Sequence, residues 1–450
     1  MQIPRAPLFT MSRDDVIDAK VLNKFIQSHQ QVISRYDYLY NMYINEPEIF
    51  EMPKKAPFKP DNRLAVAFPK YMVDTFGGYF NGIPIKKTHE NEEYLEAITQ
   101  FDNANDMEDE ESELFKLACI YGHSFEYIYQ TEQAETKAIY VSPKEMFIVY
   151  DNSIEQRPLF AVYYGRENDK TVGVLIEADK ISDFKSNKAG FELSNVRPNA
   201  YGQIPVVEFM LNDERQGLFE PVISLINSYN KVMSEKANDV DYFADAYMKI
   251  LGAQLDEESI ERIKDNRIIN LHGLDAAKIV VEFMDKPDSD AQTEHLLDRT
   301  ERLIYATSMI ANISDENFGN ASGTSLAYKL QAMSNLALSA QRKFQSSLNR
   351  RYELFSLLRT NVPENMKDEW RNIEYKFTRN EPKNILEEAQ TATQLMGVTS
   401  QETALSVLSI VSDVSTEMKR KEKEEISRPL TDEELTFFTR GREVNEPEAD

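Results

Sequence analysis

The chain has 450 residues, more than one ordinary hydrophobic core can organise, so roughly two to four domains are expected. A hydrophobic content of 41% excludes a largely disordered chain, and the single cysteine, Cys119, excludes an internal disulfide and a cysteine-based zinc site. The net charge of −25 argues against a basic grip on nucleic acid, and the absence of a long apolar run or signal peptide predicts a soluble protein that is not secreted.

Two helices and a linker are predicted at the N-terminal end. Apolar residues at helical spacing predict a helix over residues 12–43. Its candidate capping residues are Ser12 and Asp14. Residues 51–60 contain three prolines and no periodicity, as is typical of a linker. A second helix is predicted over residues 61–80, with a break or kink at Pro69.

The pattern then changes from helix to sheet. The acidic residues at 103–111 suit the start of a helix that reaches Tyr121, and Gly122 is well placed to end it. Residues 124–207 contain short β-rich pieces separated by polar turns. This part of the chain therefore predicts an antiparallel β region.

Two helices around a compact insert are predicted next. After Gly217, apolar residues at helical intervals predict a helix over residues 221–250 that ends at Gly252. Residues 253–287 predict one short helix and a few strands. The helix predicted over residues 291–313 carries two stripes of apolar residues at heptad spacing, and such stripes require a partner helix. The first stripe is Leu296, Leu303 and Ile310, and the second is Leu297 and Ile304.

A small polar loop, residues 314–323, precedes the longest predicted helix. Residues 324–362 contain no Gly or Pro, and a helix of that length would extend on the order of 50 Å and bridge domains. Residues 370–378 predict a strand that returns to the β region, and Pro382 marks a break before a helical block. The helices predicted in that block cover residues 384–396, 400–411 and 414–424.

No motif for catalysis or cofactor binding is found. The loop has no lysine for phosphate binding, and Ser322 lacks the flanking glycines of a hydrolase nucleophile. The five histidines are isolated from one another, and His123 reads as a structural histidine. The acidic run at 102–113 lacks the glycine and ligand spacing of a calcium loop. We therefore predict no catalytic residue, no cofactor and no metal site.

The order of the elements and one specific string carry a family resemblance. The string is DENFGNASGTSLAYKL at residues 315–330. Three weaker strings support it, at residues 78–85, 120–126 and 237–247. With these segments the chain resembles the portal proteins of tailed phages, most closely the portal family of long-tailed phages that infect Gram-positive bacteria. The resemblance extends over nearly the whole chain.

The resemblance implies an α+β portal fold with a wing of helices and antiparallel sheet, a helical stem, a small α/β clip, a long bridging helix and a short helical crown. The implied parts are the wing at 1–217, stem helices at 218–252 and 291–313, the clip at 253–290, a tunnel loop at 314–323, the long helix and returning wing strand at 324–383, and the crown with an acidic tail at 384–450. The loop would project into a channel. The implied channel residues are Asn317, Phe318, Gly319, Asn320, Ala321 and Ser322.

The same resemblance implies a protein that is not an enzyme. Its subunits would form a ring, dodecameric in the family's virions, through which double-stranded DNA enters and leaves a capsid without being recognised by sequence. The implied partners are further copies of the chain, terminase, a head-completion or adaptor protein, and the major capsid and scaffolding proteins, with no membrane. The implied location is the portal vertex of the virion, after assembly in the host cytoplasm. The acidic balance would favour sliding, because acidic walls repel the phosphate backbone.

Two alternatives of other classes remain open on the residues alone. One is an enzyme with an acidic metal site whose carboxylates converge from distant segments. The other is a cellular helical scaffold without DNA, because apolar stripes are usually core or coiled-coil seam. Titration with Mg²⁺ or Mn²⁺ would test the first, and closure of a ring around a pore would exclude the second.

Overall fold

A computed structural model of the protein separates into two compact units, Met1–Asn320 with Ala327–Asn380, and Ala321–Leu326 with Glu381–Asp450. The structure describes residues 6–56, 59–188, 190–244, 248–251, 280–283, 290–313, 323–381, 385–408, 410–411 and 414–427. Within these residues, no helix has the length and apolar character needed to cross a bilayer.

Helices and strands are mixed before residue 381, as the α+β prediction requires. The helices are α1 (Ala19–Tyr43), α2 (Phe68–Asn81), α3 (Glu92–Ala104), α4 (Met107–Tyr121), α5 (Ile223–Ala244), α6 (Asp290–Ser308) and α7 (Gly323–Ser356). The strands are β1 (Phe9–Met11), β2 (Lys86–Thr88), β3 (His123–Gln130), β4 (Thr136–Val141), β5 (Met146–Asp151), β6 (Pro158–Glu167), β7 (Lys170–Glu177), β8 (Lys180–Asn187), β9 (Gly190–Pro198), β10 (Val206–Met210), β11 (Met248–Leu251), β12 (Val280–Phe283) and β13 (Glu374–Lys376).

The predicted β region is confirmed as two packed sheets. Six strands lie in the order β1-β5-β6-β7-β8-β9, all antiparallel except that β1 runs parallel to β5, and three lie in the order β10-β3-β4. Successive residues of β5 point to opposite faces. Phe147 and Val149 pack with Leu22 and Phe25 of α1, whereas Met146 packs with β3 and β10. The larger sheet is therefore buried on both faces around β5 and β6, whereas most residues of its edge strand β9 are exposed.

Gly122 ends α4, as predicted. Its φ of +93° lies in the left-handed region that favours glycine, and its N–H donates to the Ala118 carbonyl oxygen at 2.8 Å. A Cβ at this position would meet the backbone of Arg215. The chain can therefore pass tightly from α4 into β3 only because this residue has no side chain.

The predicted starts of the first two helices are wrong. The first begins at Ala19, where Asp18 accepts hydrogen bonds from the N–H groups of the first turn, and the chain before it forms the unpredicted strand β1. Ser12 and Asp14 lie in the turn between them and cap no helix. The second begins at Phe68, with Pro69 in its first turn, where a proline costs no hydrogen bond and makes no kink.

Three later helices differ from their predicted lengths. The helix predicted to reach residue 250 ends at Ala244, because Met248–Leu251 pairs with Val280–Phe283. The next ends at Ser308, where Met309 adopts a φ of +61°. The longest is confirmed over 34 residues but ends at Ser356, six residues before its predicted end. The rest of the predicted insert, residues 253–279 and 284–287, lies outside the described residues.

A helix was missed and a strand misplaced. No prediction covered Glu92–Ala104, which Asn91 caps. The strand predicted at 370–378 is only Glu374–Lys376, and it pairs with Lys86–Thr88 in a separate two-stranded sheet. Trp370 lies before it in a 3-10 turn. The predicted return of this strand to the β region is therefore wrong.

The described part of the second unit is mainly helical. Its described helices are α8 (Ile385–Leu395), α9 (Gln401–Ser406) and α10 (Val414–Ser427). Three helices were predicted there, and the second ends at Ser406, five residues before its predicted end. Ser400 caps α9 by accepting the N–H of Thr403 at 3.2 Å. Ala392, Ala404 and Leu405 are buried and form its apolar centre.

Candidate functional site

The predicted channel residues lie outside the described residues. They are Asn317, Phe318, Gly319, Asn320, Ala321 and Ser322, and of the predicted loop only Gly323, the first residue of α7, is described. The structure does describe the chain that leads into the loop and the helix that leaves it. The contacts of these two flanking segments show how the chain on either side of the loop is held.

The chain entering the loop is attached to α2. The Tyr71 hydroxyl accepts a hydrogen bond from the backbone N–H of Ile313 at 2.7 Å and donates to the carbonyl oxygen of Ala311 at 3.3 Å. Ile310, between α6 and these residues, is buried. The entry to the loop is therefore fixed by backbone hydrogen bonds as well as by packing.

An aromatic cluster joins α2 to the predicted stem helices α5 and α6. The ring of Phe68 meets those of Tyr229 and Tyr305 edge-on, with centroids 5.2 and 5.9 Å apart, and Tyr71 also packs on Tyr305. Edge-to-face aromatic pairs stabilise a fold by more than the burial of their apolar area alone would give. The two helices are thus seated on α2 next to the loop entry.

The helix leaving the loop is fixed by its apolar stripe. The buried residues of α7 recur every three or four positions, as the sequence predicted. They include Leu330, Met333, Ala337, Ala340, Phe344 and Leu348. The ring of Phe344 lies among those of Phe80, Phe115 and Phe209, at centroid distances of 5.8, 5.9 and 4.9 Å. The long helix is therefore part of the core along most of its described length.

A buried ion network locks the C-terminal end of α7. Arg351 is fully buried, with its Nε 3.0 and 2.9 Å from the Glu126 carboxylate and its Nη1 2.5 Å from Glu111. Glu111 also accepts from Lys87 at 3.0 Å, and Lys87 donates to Asp102 at 2.7 Å. Burial alone would lower the pKa of the Arg351 guanidinium, but the two glutamates raise it well above its ordinary value. The guanidinium therefore stays charged, whereas burial raises the pKa of the Glu126 carboxyl against the opposing effect of Arg351.

A second buried arginine fixes the turn that leads into α5. We call this turn, residues 217–222, the elbow. Arg35 of α1 donates to the carbonyl oxygens of Tyr121 and Arg215 at 3.1 and 2.9 Å and forms an ion pair with Glu220. Glu220 opens the 3-10 turn before α5 and accepts the N–H of Gly217 at 2.8 Å. Helix α5 thus follows the β region through an elbow held by one guanidinium.

His123 completes a closed polar cluster beside this elbow. Its Nδ1 lies 2.6 Å from the Glu208 carboxylate, which also accepts from Arg215 at 2.7 Å and from the Tyr150 hydroxyl at 2.6 Å. Burial alone would raise the pKa of Glu208, but hydrogen bonds from His123 and Arg215 hold it well below its usual range. The imidazole is fully partnered, which confirms its structural role.

His29 is a third buried polar group. Its Nδ1 lies 2.7 Å from the Tyr164 hydroxyl, and its Nε2 lies 2.9 Å from the Pro143 carbonyl oxygen. A carbonyl oxygen only accepts, so Nε2 carries a proton. Burial lowers the pKa of the imidazole to about 4 from its ordinary 6.5.

We expect His29 to make the fold sensitive to mild acid. In the unfolded chain this imidazole binds a proton below about pH 6.5, whereas in the folded chain it binds one only below about pH 4. Stability therefore falls as the pH falls through this window, by about 3 kcal/mol in total from this group. The urea concentration at the midpoint of unfolding should fall between pH 7 and pH 4, and this fall should be smaller for His29→Gln than for the parent. His295→Gln, at an exposed position, is the control, and equal losses in all three proteins would contradict the prediction.

The acidic residues of the described chain do not converge on a metal site. No group of three or more His, Cys, Asp or Glu side chains in the described ranges is placed to hold an ion. The groove between α3 and α4, about 830 Å³, is lined by Asp102 and Glu111 among other acids. Both of these carboxylates are bound by Lys87. The alternative of an acidic metal enzyme gains no support from this geometry.

Comparisons with known proteins identify the family. The family model described as "Phage portal protein, SPP1 Gp6-like" matches residues 22–428. A portal protein of Clostridium phage phiCD119 is 24% identical over 410 residues, 82% of this chain and 87% of that relative. Two solved structures, a virion of a native gene transfer agent particle and the neck of such a particle computed with C12 symmetry, cover 83% and 82% of this chain at 11% and 12% identity. Their TM-scores are 0.45 and 0.43, and each is covered over 92% of its own length.

The family match extends over most of the described fold, including the α5–α6 pair and the anchored long helix. This class of protein is structural and non-enzymatic: it is the portal of a phage particle. The chain belongs to the SPP1 Gp6-like family of phage portal proteins. The resemblance read from the sequence is thereby confirmed.

Proposed function

We propose that this portal protein forms a closed dodecameric ring whose axial channel passes double-stranded DNA into and out of the capsid at one vertex. The observation that carries the proposal is the family match over residues 22–428. The surroundings of residues 314–323 support it, because Tyr71 binds the backbone that enters the loop and the helix that follows the loop is buried in the core from Leu330 onward. In a closed ring, every subunit would present its loop to the same axis.

The parts of the chain are assigned as the resemblance implies. They are the wing at 1–217, stem at 218–252 and 291–313, clip at 253–290, tunnel loop at 314–323, long helix and wing strand at 324–383, and crown with tail at 384–450. Within the stem assignment, the helices themselves are Ile223–Ala244 and Asp290–Ser308. The clip would be the part that terminase contacts transiently, and a head-completion or adaptor protein would follow it. The major capsid and scaffolding proteins would surround the ring, which assembles in the host cytoplasm.

DNA would pass without being bound tightly or recognised by sequence. Tight binding to duplex DNA requires many phosphates to be neutralised, and a chain of net charge −25 is poorly suited to this. The amide and hydroxyl groups of Asn317, Asn320 and Ser322 would touch the backbone weakly, while Phe318 would anchor the loop by packing. The energy for translocation would come from terminase, since this sequence contains no ATP-binding signature.

Electron microscopy of the purified chain tests the assembly. We expect a turbine-like ring of about a dozen subunits with an open axial channel. Particles should be counted across a range of salt and protein concentrations. A monomer or a solid particle under all of these conditions would overturn the proposal and favour the scaffold alternative.

Lysines in the loop should obstruct packaging. Asn317→Lys with Asn320→Lys adds two cations per subunit at the channel, where phosphate binding with counterion release would slow sliding. DNase-resistant DNA per particle should fall by on the order of tenfold, with ring assembly unchanged. Gln133→Lys with Ser194→Lys, at exposed positions of the wing, is the matched control and should package normally. Normal packaging by the loop variant would overturn the tunnel-loop assignment.

A further inference from the structure

Strand β9 forms one edge of the six-stranded sheet, and β1 forms the other. Seven of its nine residues, from Glu192 to Pro198, are exposed. Phe191 packs on Phe184 at the margin of the core, with ring centroids 5.2 Å apart. Leu193 lies on the same face of the sheet and is 38% exposed. The edge therefore presents both its backbone and an apolar side chain to solvent.

The register of the sheet shows which backbone groups of β9 are bonded to β8. In an antiparallel pair, hydrogen bonds join every second residue of each strand. The β6–β7 hairpin closes on Glu167 and Lys170 through Asn168 and Asp169, whose φ angles of +47° and +60° fit a type I′ turn. The closing pair of such a hairpin is hydrogen-bonded, so it sets the alternation for the strands that follow.

Counting from that pair across β7 and β8 leaves the backbone of two residues of β9 directed outward. Glu192 and Ser194 bond β8, so the N–H and C=O groups of Phe191 and Leu193 point away from the sheet. No hydrogen bond from another element to these four groups is found within the described residues. A bulge at Asn195, where φ is +47°, ends the regular stretch. Two donors and two acceptors are thus available along about 7 Å of strand edge.

Two other strand edges of the described fold are covered by side chains. Along β4, the N–H groups of Ala138 and Tyr140 donate to Asn105 at 3.1 Å and to Glu110 at 2.6 Å. Along β10, the carbonyl oxygen of Glu208 accepts a hydrogen bond from α7 at 2.7 Å. Covering an edge in this way prevents other strands from pairing with it. The outward groups of β9 have no such cover among the described residues.

We infer that β9 is a docking site for an extended segment of another protein, which adds to the sheet as an antiparallel seventh strand. A β-strand supplies donors and acceptors in alternation at the spacing that Phe191 and Leu193 require. A helix bonds its backbone groups internally, and the phosphate backbone of DNA only accepts. The two residues opposite Phe191 and Leu193 are apolar because they extend that face, and the residue between them, opposite Glu192, is a lysine or arginine. This inference does not rest on the proposed ring.

A second copy of β9 is a poorer occupant than a segment of this kind. If the outward groups of Phe191 and Leu193 bond those of another copy, the twofold axis passes through Glu192. The two Glu192 side chains would then oppose each other across a pair whose Cα atoms are about 4.5 Å apart, and like charges there destabilise a sheet. A shifted register would bring in the bulge at Asn195 or leave one of the outward residues unpaired.

Two labelled peptides test the charge of the occupant. The first is a fluorescein-labelled peptide in which a lysine stands between two valines, with threonines at both ends, and the second has glutamate in place of the lysine. By fluorescence anisotropy, the full chain should bind the lysine peptide roughly threefold or more tightly than the glutamate peptide. Glu192→Lys, at an exposed position, should reverse this order. An unchanged order, or no binding of either peptide up to about 1 mM, would overturn the inference.

A proline at position 193 tests the backbone contact. Leu193→Pro removes an outward N–H and none of the bonds to β8, so an edge strand should tolerate it, as the circular dichroism of the parent would show. Its affinity for the lysine peptide should fall by about tenfold, because one acceptor of the peptide loses its donor. Leu193→Val, which keeps the N–H and an apolar side chain, is the matched control and should bind like the parent. Equal binding by the proline variant would mean that no strand is added.

Hydrogen exchange at single-residue resolution locates the new bonds. In the free chain, the amides of Glu192 and Ser194 should exchange slowly and those of Phe191 and Leu193 rapidly. The lysine peptide should slow the second pair by about tenfold or more. If these two amides are already slow in the free chain and become faster on dilution, a second copy occupies the edge and the inference is wrong. Ring formation is scored separately by electron microscopy of the same samples, so failure of this docking site leaves the proposed function intact.

Discussion

Arg351→Met should destabilise the first unit by about 3–5 kcal/mol, whereas Arg350→Met should cost less than about 1 kcal/mol. Arg351 is fully buried and binds Glu126 and Glu111, so its loss leaves two carboxylates in the core with only Lys87 nearby. Arg350, one residue earlier in α7, is partly exposed and pairs with Glu353. The two substitutions remove the same guanidinium from neighbouring positions. The difference between their losses of unfolding free energy therefore measures the effect of burying the ion pairs.

Equilibrium unfolding in urea measures this difference. The only tryptophan, Trp370, lies in the same unit and reports its unfolding by fluorescence. Glu126→Gln combined with Arg351→Met should recover part of the loss, because a neutral amide is less costly to bury unpaired than a carboxylate. Equal losses for the two single arginine variants would show that the network contributes no more than a surface pair.

Periodicity and special residues predicted much of this fold. The buried stripe of α7 extends from Leu330 to Phe355, about seven turns, and no tertiary contact overrides so long a signal. Gly122 was predictable because the left-handed conformation that ends α4 is unfavourable for other residues. The alternation in β5 separates Met146 from Phe147 onto two faces, and that pattern is local.

The errors lie where distant contacts decide the structure. Residues 248–251 continue a helical pattern but pair with a strand about thirty residues later, which no local signal indicates. Asn91 and three buried residues at helical spacing were the available signal for α3, and its many charged residues obscured them. The start of the first helix was wrong by several residues because Asp18 competes with equally good capping residues upstream.

The anchors of the candidate site could not be predicted either. Arg351 binds Glu126 and Glu111, which are 225 and 240 residues away in sequence. Arg35 lies on the apolar side of α1, between buried Val32 and Tyr36, and that position was the one available signal. A charged residue within an apolar stripe indicates a buried pair but does not name its partner.

Arg35→Met should destabilise the first unit by about 3–5 kcal/mol, and the effect should begin at the elbow before α5. The substitution leaves the Glu220 carboxylate, 10% exposed, and the carbonyl oxygens of Tyr121 and Arg215 without their shared donor. Arg359→Met is the control, because that guanidinium is 81% exposed and its pair with Glu364 contributes little.

Hydrogen exchange separates a local effect from a general one. If Arg35 holds the elbow, the amides of Glu220–Val222 and of the first turn of α5 should lose protection in Arg35→Met before those of β6 and β7 do. Adding Glu220→Gln should restore part of the stability, because it removes the unpaired charge but not the unpaired carbonyl oxygens. Uniform loss of protection across the unit, or no recovery in the double variant, would mean that Arg35 acts through packing in general. Helix α5 would then be positioned by the aromatic cluster on Phe68 rather than by its elbow.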